Sequence, residues 1–213
     1  MEEKTAKEKT VEKEKATKTT KNIGESVGKA GTTVKEGIVG SLKGINDIES
    51  EIVNLVRDAV SNTLKATGSV AGEGVNVARD VIKGAIAAAE EVGTGLTTSS
   101  KSVAKGIIMG VSDVGGDVIT VAGTTIRDTV KGAAGVGGDV AVVARRSVDG
   151  VIEATKEIGG NVEEVTKVVV AGAVDAAGAI GTSAIRTVKE MMIGVVEGVK
   201  DVASAALPKA KTE

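Results

Sequence analysis

A chain of 213 residues with a net charge of −2 and no Phe, Trp, Tyr, Cys or His is long enough for one or two ordinary domains, yet it lacks the aromatic side chains that dominate most cores. Without Cys there are no disulfides and no thiolate metal sites, and without His or Cys the usual nucleophile–base pairs are missing, so no catalytic residue, metal or cofactor is expected. The near-neutral charge gives no reason to expect a nucleic-acid partner, and no run approaches the roughly 18 uncharged apolar residues of a transmembrane helix.

Residues 1–21 are Lys, Glu and Thr with almost nothing apolar, which predicts a solvated, disordered arm, and the charged start is not a signal peptide. An amphipathic lead-in over 22–37 follows, carried by Ile23, Val27 and Val34. From Ile38, over a repeat region placed at 38–207, the chain reads as eight 22-residue units, each made of two 11-residue halves, without insertion or deletion, the last unit running into the tail. Examples are AKGIIMGVSDVGGDVITVAGTT from Ala104 and IRDTVKGAAGVGGDVAVVARRS from Ile126. Residues 208–213, opening with Pro208, form a short tail.

Eleven residues make almost three helical turns, about 98° per residue, so a face built on that period stays in line. Three columns define the face. The first includes Val70, Val81, Val92, Val103, Val114, Val136, Ile158, Val169 and Ile180. The second includes Leu96, Ile107, Val118, Val140, Val151, Val162 and Val195. The third includes Ile108, Ile119, Ile152, Val174 and Ile185. With their small-residue neighbours these columns cover about half the helix circumference, wider than a coiled-coil seam, and they are expected to meet lipid or a partner. A basic rim lies on one flank: Arg57, Arg79, Lys101, Arg145, Lys156, Lys167, Lys189 and Lys200. An acidic rim lies opposite: Asp47, Asp58, Asp80 and Asp113, with Asp117 and Asp139 at its edge. Two such helices laid side by side in parallel bring the basic rim of one against the acidic rim of the next.

The expected class is therefore all-α: one long amphipathic helix, or several, extended or folded into helical hairpins. A β-solenoid with a 22-residue coil is the minor alternative, because Val, Ile and Thr favour strands and VITVAGTTI from Val118 alternates locally. Apolar spacings of four, seven and eleven, and columns that repeat at eleven, favour helix. The pairs Gly115-Gly116, Gly137-Gly138 and Gly159-Gly160 cost a helix interior about 1 kcal/mol per glycine. They leave three options open: close packing, folding only on a surface, or a break into short stacked helices. An unbroken helix over 38–213 would extend roughly 260 Å at 1.5 Å per residue. GVGGDV and GKAG match neither phosphate-loop pattern, and the Asp of VGGDV is replaced by Asn161, Gly95 and Ser183 in other units, which argues against a calcium turn.

The 11-residue period, the lack of aromatics and the Val/Thr/Gly/Lys usage resemble the amphipathic repeats of perilipins, most closely over Gly74–Val111. GKAGTTVKEGIVGSLKGI from Gly28 resembles the synuclein type of repeat, and the 22-residue period is similar to that of exchangeable apolipoproteins. These resemblances imply a coat on a lipid monolayer, a membrane or a storage granule, held by many small contacts. The location implied is cytoplasmic and peripheral. The competing expectation is a self-assembling bundle, filament or other homo-oligomer, since eleven-residue repeats suit right-handed supercoiling. A stress protectant similar to late-embryogenesis-abundant proteins is the third.

Overall fold

The computed structural model describes residues 28–38, 48–92 and 95–206, and all regular structure in them is α-helix. Residues 1–27, Asp47 and the 208–213 tail, on which several expectations fall, lie outside the described residues. After α1 (28–38) come α2 (Ile48–Thr67), α3 (Val70–Val92), α4 (Leu96–Ser112), α5 (Val118–Gly135), α6 (Val140–Glu157), α7 (Val162–Ile180) and α8 (Thr182–Ala206). The all-α class holds, and no strand occurs among the described residues. One unbroken helix does not form. The helices α2–α8 have 17 to 25 residues, about 25–38 Å each at 1.5 Å per residue.

Three breaks, those between α4 and α5, α5 and α6, and α6 and α7, fall on the glycine pairs, for a backbone reason. Gly115, Gly137 and Gly159 each have φ near +70°, the left-handed conformation in which a Cβ is penalised. The following glycine closes each helix end. Gly116 N–H donates to the Val111 carbonyl at 2.9 Å, Gly138 to Ala133 at 2.8 Å and Gly160 to Thr155 at 2.8 Å. With the second bonds from Gly115 to Ser112, Gly137 to Ala134 and Gly159 to Lys156, this is the Schellman arrangement. The next residue opens the new helix as its N-cap. Asp117 accepts from Thr120 N–H at 3.0 Å, Asp139 from Ala141 and Val142 N–H at 3.1 Å, and Asn161 from Glu164 N–H at 3.1 Å. Each turn thus satisfies helix-terminal groups on both sides with two glycines and one polar side chain.

The helices pack in two layers. The even helices α2, α4, α6 and α8 contact one another in succession, as do α3, α5 and α7, and each helix also touches its chain neighbour across the layers. Helix α1 joins the odd layer. Its Gly31 N–H donates to Asp80 of α3 at 2.8 Å, and Lys35 pairs with Glu91 at 3.0 Å. Helices two apart run parallel: Gly106 of α4 lies over Val53 and Val56 of α2, and Gly110, one turn on, lies over Arg57 and Val60.

The core is aliphatic, with Ile52, Leu64, Ile107, Ile108 and Ile126 among its largest fully buried side chains and Val and Ala filling the rest. Small residues compensate for the missing aromatics by letting backbones approach. A Cβ at Gly106 would lie 2.7 Å from the Val53 carbonyl oxygen and one at Gly172 would lie 3.0 Å from that of Gly123; Gly84 and Gly150 sit against the backbones of Gly31 and Lys101. Burial of the Val and Ile columns, at about 1.5–3 kcal/mol per fully buried side chain, overrides their modest helix propensity.

Candidate functional site

The residues expected to meet lipid or a partner are largely covered by the chain itself. Val81, Leu96, Val103, Ile107, Ile108, Val151, Ile152, Val169 and Val195 are buried. Val114, Val118, Ile119, Val140, Ile158, Val162, Val174 and Ile185 are partly buried and pack against the main core, and Val136 against a smaller cluster with Leu96, Ala133 and Val143. Val70 is partly buried near the α2–α3 turn. Ile180 is 40% exposed. The side chain of Val92 lies outside the described set. In the folded chain the broad apolar face is therefore core; a lipid-facing role for these side chains requires the helices to separate.

Of the predicted rims, Arg57 and Asp113 meet each other between parallel helices, while Arg79 and Lys101 meet carboxylates outside the predicted acidic rim. Arg57 of α2 holds Asp113 of α4 in a two-pronged contact, Nε–Oδ2 at 2.5 Å and Nη2–Oδ1 at 2.7 Å. The hydrogen bonds and the opposite charge raise the Arg57 pKa and lower that of Asp113. Arg79 of α3 reaches Asp128 of α5 at 3.1 Å, and Lys101 of α4 reaches Glu153 of α6 at 2.7 Å. Lys105 bridges Glu153 and Glu157 at 2.7 and 2.6 Å. Burial of Lys105 opposes its charge, but bonds to the two glutamates outweigh it and raise the pKa; Glu153 is lowered, chiefly by its bonds to Lys101 and Lys105. A cleft of about 300 Å³ beside this cluster is lined by Glu49, Asn54, Ser102 and Met109 as well as the paired charges.

Other rim residues behave differently. Arg145 pairs with Asp149 and Lys167 with Glu163, each four residues away on its own helix. Lys156, Lys189 and Lys200 are exposed, as is Asp58. Asp80 receives the Gly31 N–H rather than a cation. Asp117 and Asp139 are not rim charges: they are N-caps, because the glycine pair before each ends one helix and leaves the next helix's N–H groups to be satisfied. The Asp117 carboxyl is held below the usual aspartate range, first by the Thr120 hydroxyl at 2.6 Å and then by the Thr120 N–H. The signal lay in the sequence as Gly-Gly-Asp or Gly-Gly-Asn ahead of an apolar run.

Among the described residues the large exposed hydrophobic side chains are Ile180, Met191 and Ile193, all on the last two helices. Beside them an open cleft of about 790 Å³ runs between α7 and α8, lined by Thr166, Val170, Ala171, Val174, Val196 and Val199 and edged by Glu163, Lys167, Asp175 and Lys200. A second hollow shares Val170, Val174 and Val196 and adds Met192 and Ile193. Thr166 Oγ1 is buried at this cleft without a hydrogen-bond partner. The sequence columns run through Val174 and Val196 here but miss Val170 and Ile193, which stand off all three columns.

Among the described residues no three His, Cys, Asp or Glu side chains stand where they could hold a metal ion. No protein-family model matches the chain, and no curated protein sequence matches it.

Proposed function

We propose that this chain is a non-catalytic structural protein, a stack of amphipathic helices that builds assemblies of its own kind. The observation that carries the reading is the recurrence of one mode of contact: parallel helices two apart, a small residue seated on a backbone, a cation on one helix and a carboxylate on the next. A surface repeated in this way is suited to adding further helices of the same pattern, within a chain or between chains. In this reading each 22-residue unit is one helix and its turn. Sedimentation velocity over a wide concentration range tests it. Mass should rise with concentration at constant helix content, and a strict monomer throughout would sink the idea.

A second reading keeps the coat on a lipid monolayer, membrane or storage granule, peripheral and cytoplasmic, which the perilipin-like, synuclein-like and apolipoprotein-like resemblances imply. It is favoured by a core that is inexpensive to open: aliphatic throughout, with Thr125, Ser147 and Thr166 carrying buried hydroxyls that have no partner. Such hydroxyls cost about 1–3 kcal/mol each. On a lipid surface the same columns would exchange helix contacts for lipid. Linking Arg57→Cys to Asp113→Cys with a short flexible bismaleimide should then abolish binding to an oil emulsion while the uncoupled variant still binds. Equal binding by both would remove opening from the account.

A further inference from the structure

We propose that α8 is a releasable strap hinged at Gly181, and that Asp149 of α6 keeps it unlatched. The device goes beyond both functions proposed above and is independent of which one the stack serves. It shows when the α6–α8 joint is set beside the α4–α6 joint, two repeat steps earlier in the same layer. There Lys101 and Lys105 of α4 grip Glu153 of α6 at 2.7 Å each, and Lys105 also grips Glu157 at 2.6 Å. Two steps of 22 residues carry Lys101 to Arg145, Lys105 to Asp149, Glu153 to Glu197 and Glu157 to Asp201. Three of the four charges are kept and one is reversed. The reversed charge takes Arg145 back to its own helix: both Asp149 carboxylate oxygens lie 3.0 Å from Arg145 Nε, and Glu197 is left exposed. Among the described residues no ion pair joins α6 to α8. In the α4–α6 pattern Asp149 would also stand beside Glu197 as Lys105 stands beside Glu153, like charge against like.

The backbones stand farther apart as well. Gly150 of α6 is buried against the Lys101 backbone, so close that an added Cβ would collide with the carbonyl oxygen. Gly194, its counterpart on α8, is exposed; an added Cβ there would meet only Arg145 Nη1, at 3.6 Å, and no backbone atom of α6 within 4 Å. Ala154 of α6 is fully buried, whereas Gly198 in its place on α8 is exposed, with nothing within 4 Å of an added Cβ. Helix α8 is thus held through its apolar stripe of Val188, Met192 and Val195, without the ion pairs or the backbone contact of the earlier joint. The turn that leads into it is also different. Gly181, with φ of +153°, donates to the Ala177 carbonyl at 3.1 Å and lacks the glycine pair and polar cap that close the three preceding turns. Release would bare Val188, Met192 and Val195 beside Met191 and Ile193, which are exposed already.

Hydrogen exchange of the full chain, read peptide by peptide, tests the strap and its latch. In the parent, amides over 186–199 on α8 should exchange at least tenfold faster than those over 142–155 on α6. Asp149→Lys restores the fourth charge of the clamp and should slow α8 exchange about threefold, the scale of a part-exposed ion pair. Asp149→Asn, which only frees Arg145 to reach Glu197, should slow it by a smaller factor. Adding Glu197→Lys to Asp149→Lys should cancel the gain. A gain that survives would come from Glu153, one turn along α6 from the new lysine, and would overturn the latch, as would unchanged exchange in both Asp149 variants. An α8 that exchanges as slowly as α6 in the parent would remove the strap itself. Asp149 is partly exposed, and circular dichroism checks that each variant keeps the parent's helix content; should the lysine variant fail that check, the asparagine variant decides.

Discussion

Gly106→Ala should destabilise the protein although alanine is the better helix former. In an exposed helix interior the change gains about 1 kcal/mol. Here the new Cβ would stand 2.7 Å from the Val53 carbonyl oxygen, 2.7 Å from Val56 Cβ and 2.8 Å from its Cγ1. Two of those three atoms are fixed by the backbone, so side-chain rotation gives no relief and α4 must move off α2 by roughly half an ångström. A gap of that size forfeits about a quarter or more of the dispersion energy along the contact, and overpacking of this kind costs about 1–3 kcal/mol. The net expectation is a loss of about 1–2 kcal/mol. Gly198 in α8 has nothing within 4 Å of its would-be Cβ, so Gly198→Ala should gain up to about 1 kcal/mol. Urea unfolding followed by helix circular dichroism reads both, with midpoints moving in opposite directions. Adding Gly110→Ala to Gly106→Ala should cost less than Gly110→Ala alone, since both open the same contact. If Gly106→Ala stabilised as Gly198→Ala does, close backbone contact between parallel helices would not be what those glycines provide.

Removing a partnerless buried hydroxyl at constant shape should help: Thr125→Val is expected to raise stability by about 1 kcal/mol in the same urea assay, whereas Thr129→Val, which deletes a bonded hydroxyl, should not. At Gly137, φ of +70° makes Ala cost about 1–2 kcal/mol, with Asn tolerated better because it enters the left-handed region more readily; thermal midpoints should rank Gly, Asn, Ala. Asp117→Ala should cost about 1 kcal/mol by loss of its cap. Because the Asp117 carboxyl is lowered in the folded state, its contribution is whole above the unfolded aspartate value of about 3.9 and is lost as pH falls through the lowered one. The gap in stability between parent and Asp117→Ala should therefore close only in that acid window. A double-mutant cycle on Arg57 and Asp113, both more than a quarter exposed, should give a coupling of about 0.5–1 kcal/mol that shrinks in high salt.

The helix and its apolar face were legible because each is a property of one helix, and the 11-residue period reports it directly; the rims were legible only in part, since Arg57 meets Asp113 but Asp117 and Asp139 are caps. What covers the face was not legible. The column of Ile107 and Val151 looks the same whether lipid, another copy or the next helix but one lies on it, because apolar burial has no direction. The break was half legible: the glycine pairs were visible, but their sense depends on φ, and Gly115 at +70° closes a helix whose interior Gly106 leaves unbroken. Asp117 follows the same logic. On an unbroken wheel it joins the acidic flank; after a turn it is a cap. Arg57 and Asp113 each belong to the rim that the period predicts, yet their pairing depends on helices two apart running parallel, which no single-helix pattern encodes.

The Gly-Gly-Asp turn also has a mechanical consequence. It contains no slack, and among the described residues each helix from α2 to α8 is tied only to its chain neighbours and to the helices two places away. Nothing among the described residues clamps the two ends of the stack together, so tension on the termini acts on one helix at a time. Pulled or heated, such an array should give way from an end in short, similar steps rather than in one event, with α7 and α8, lacking a covering layer among the described residues, the first to leave. The same chain would then act as an extensible element, its length set by how many helices remain docked.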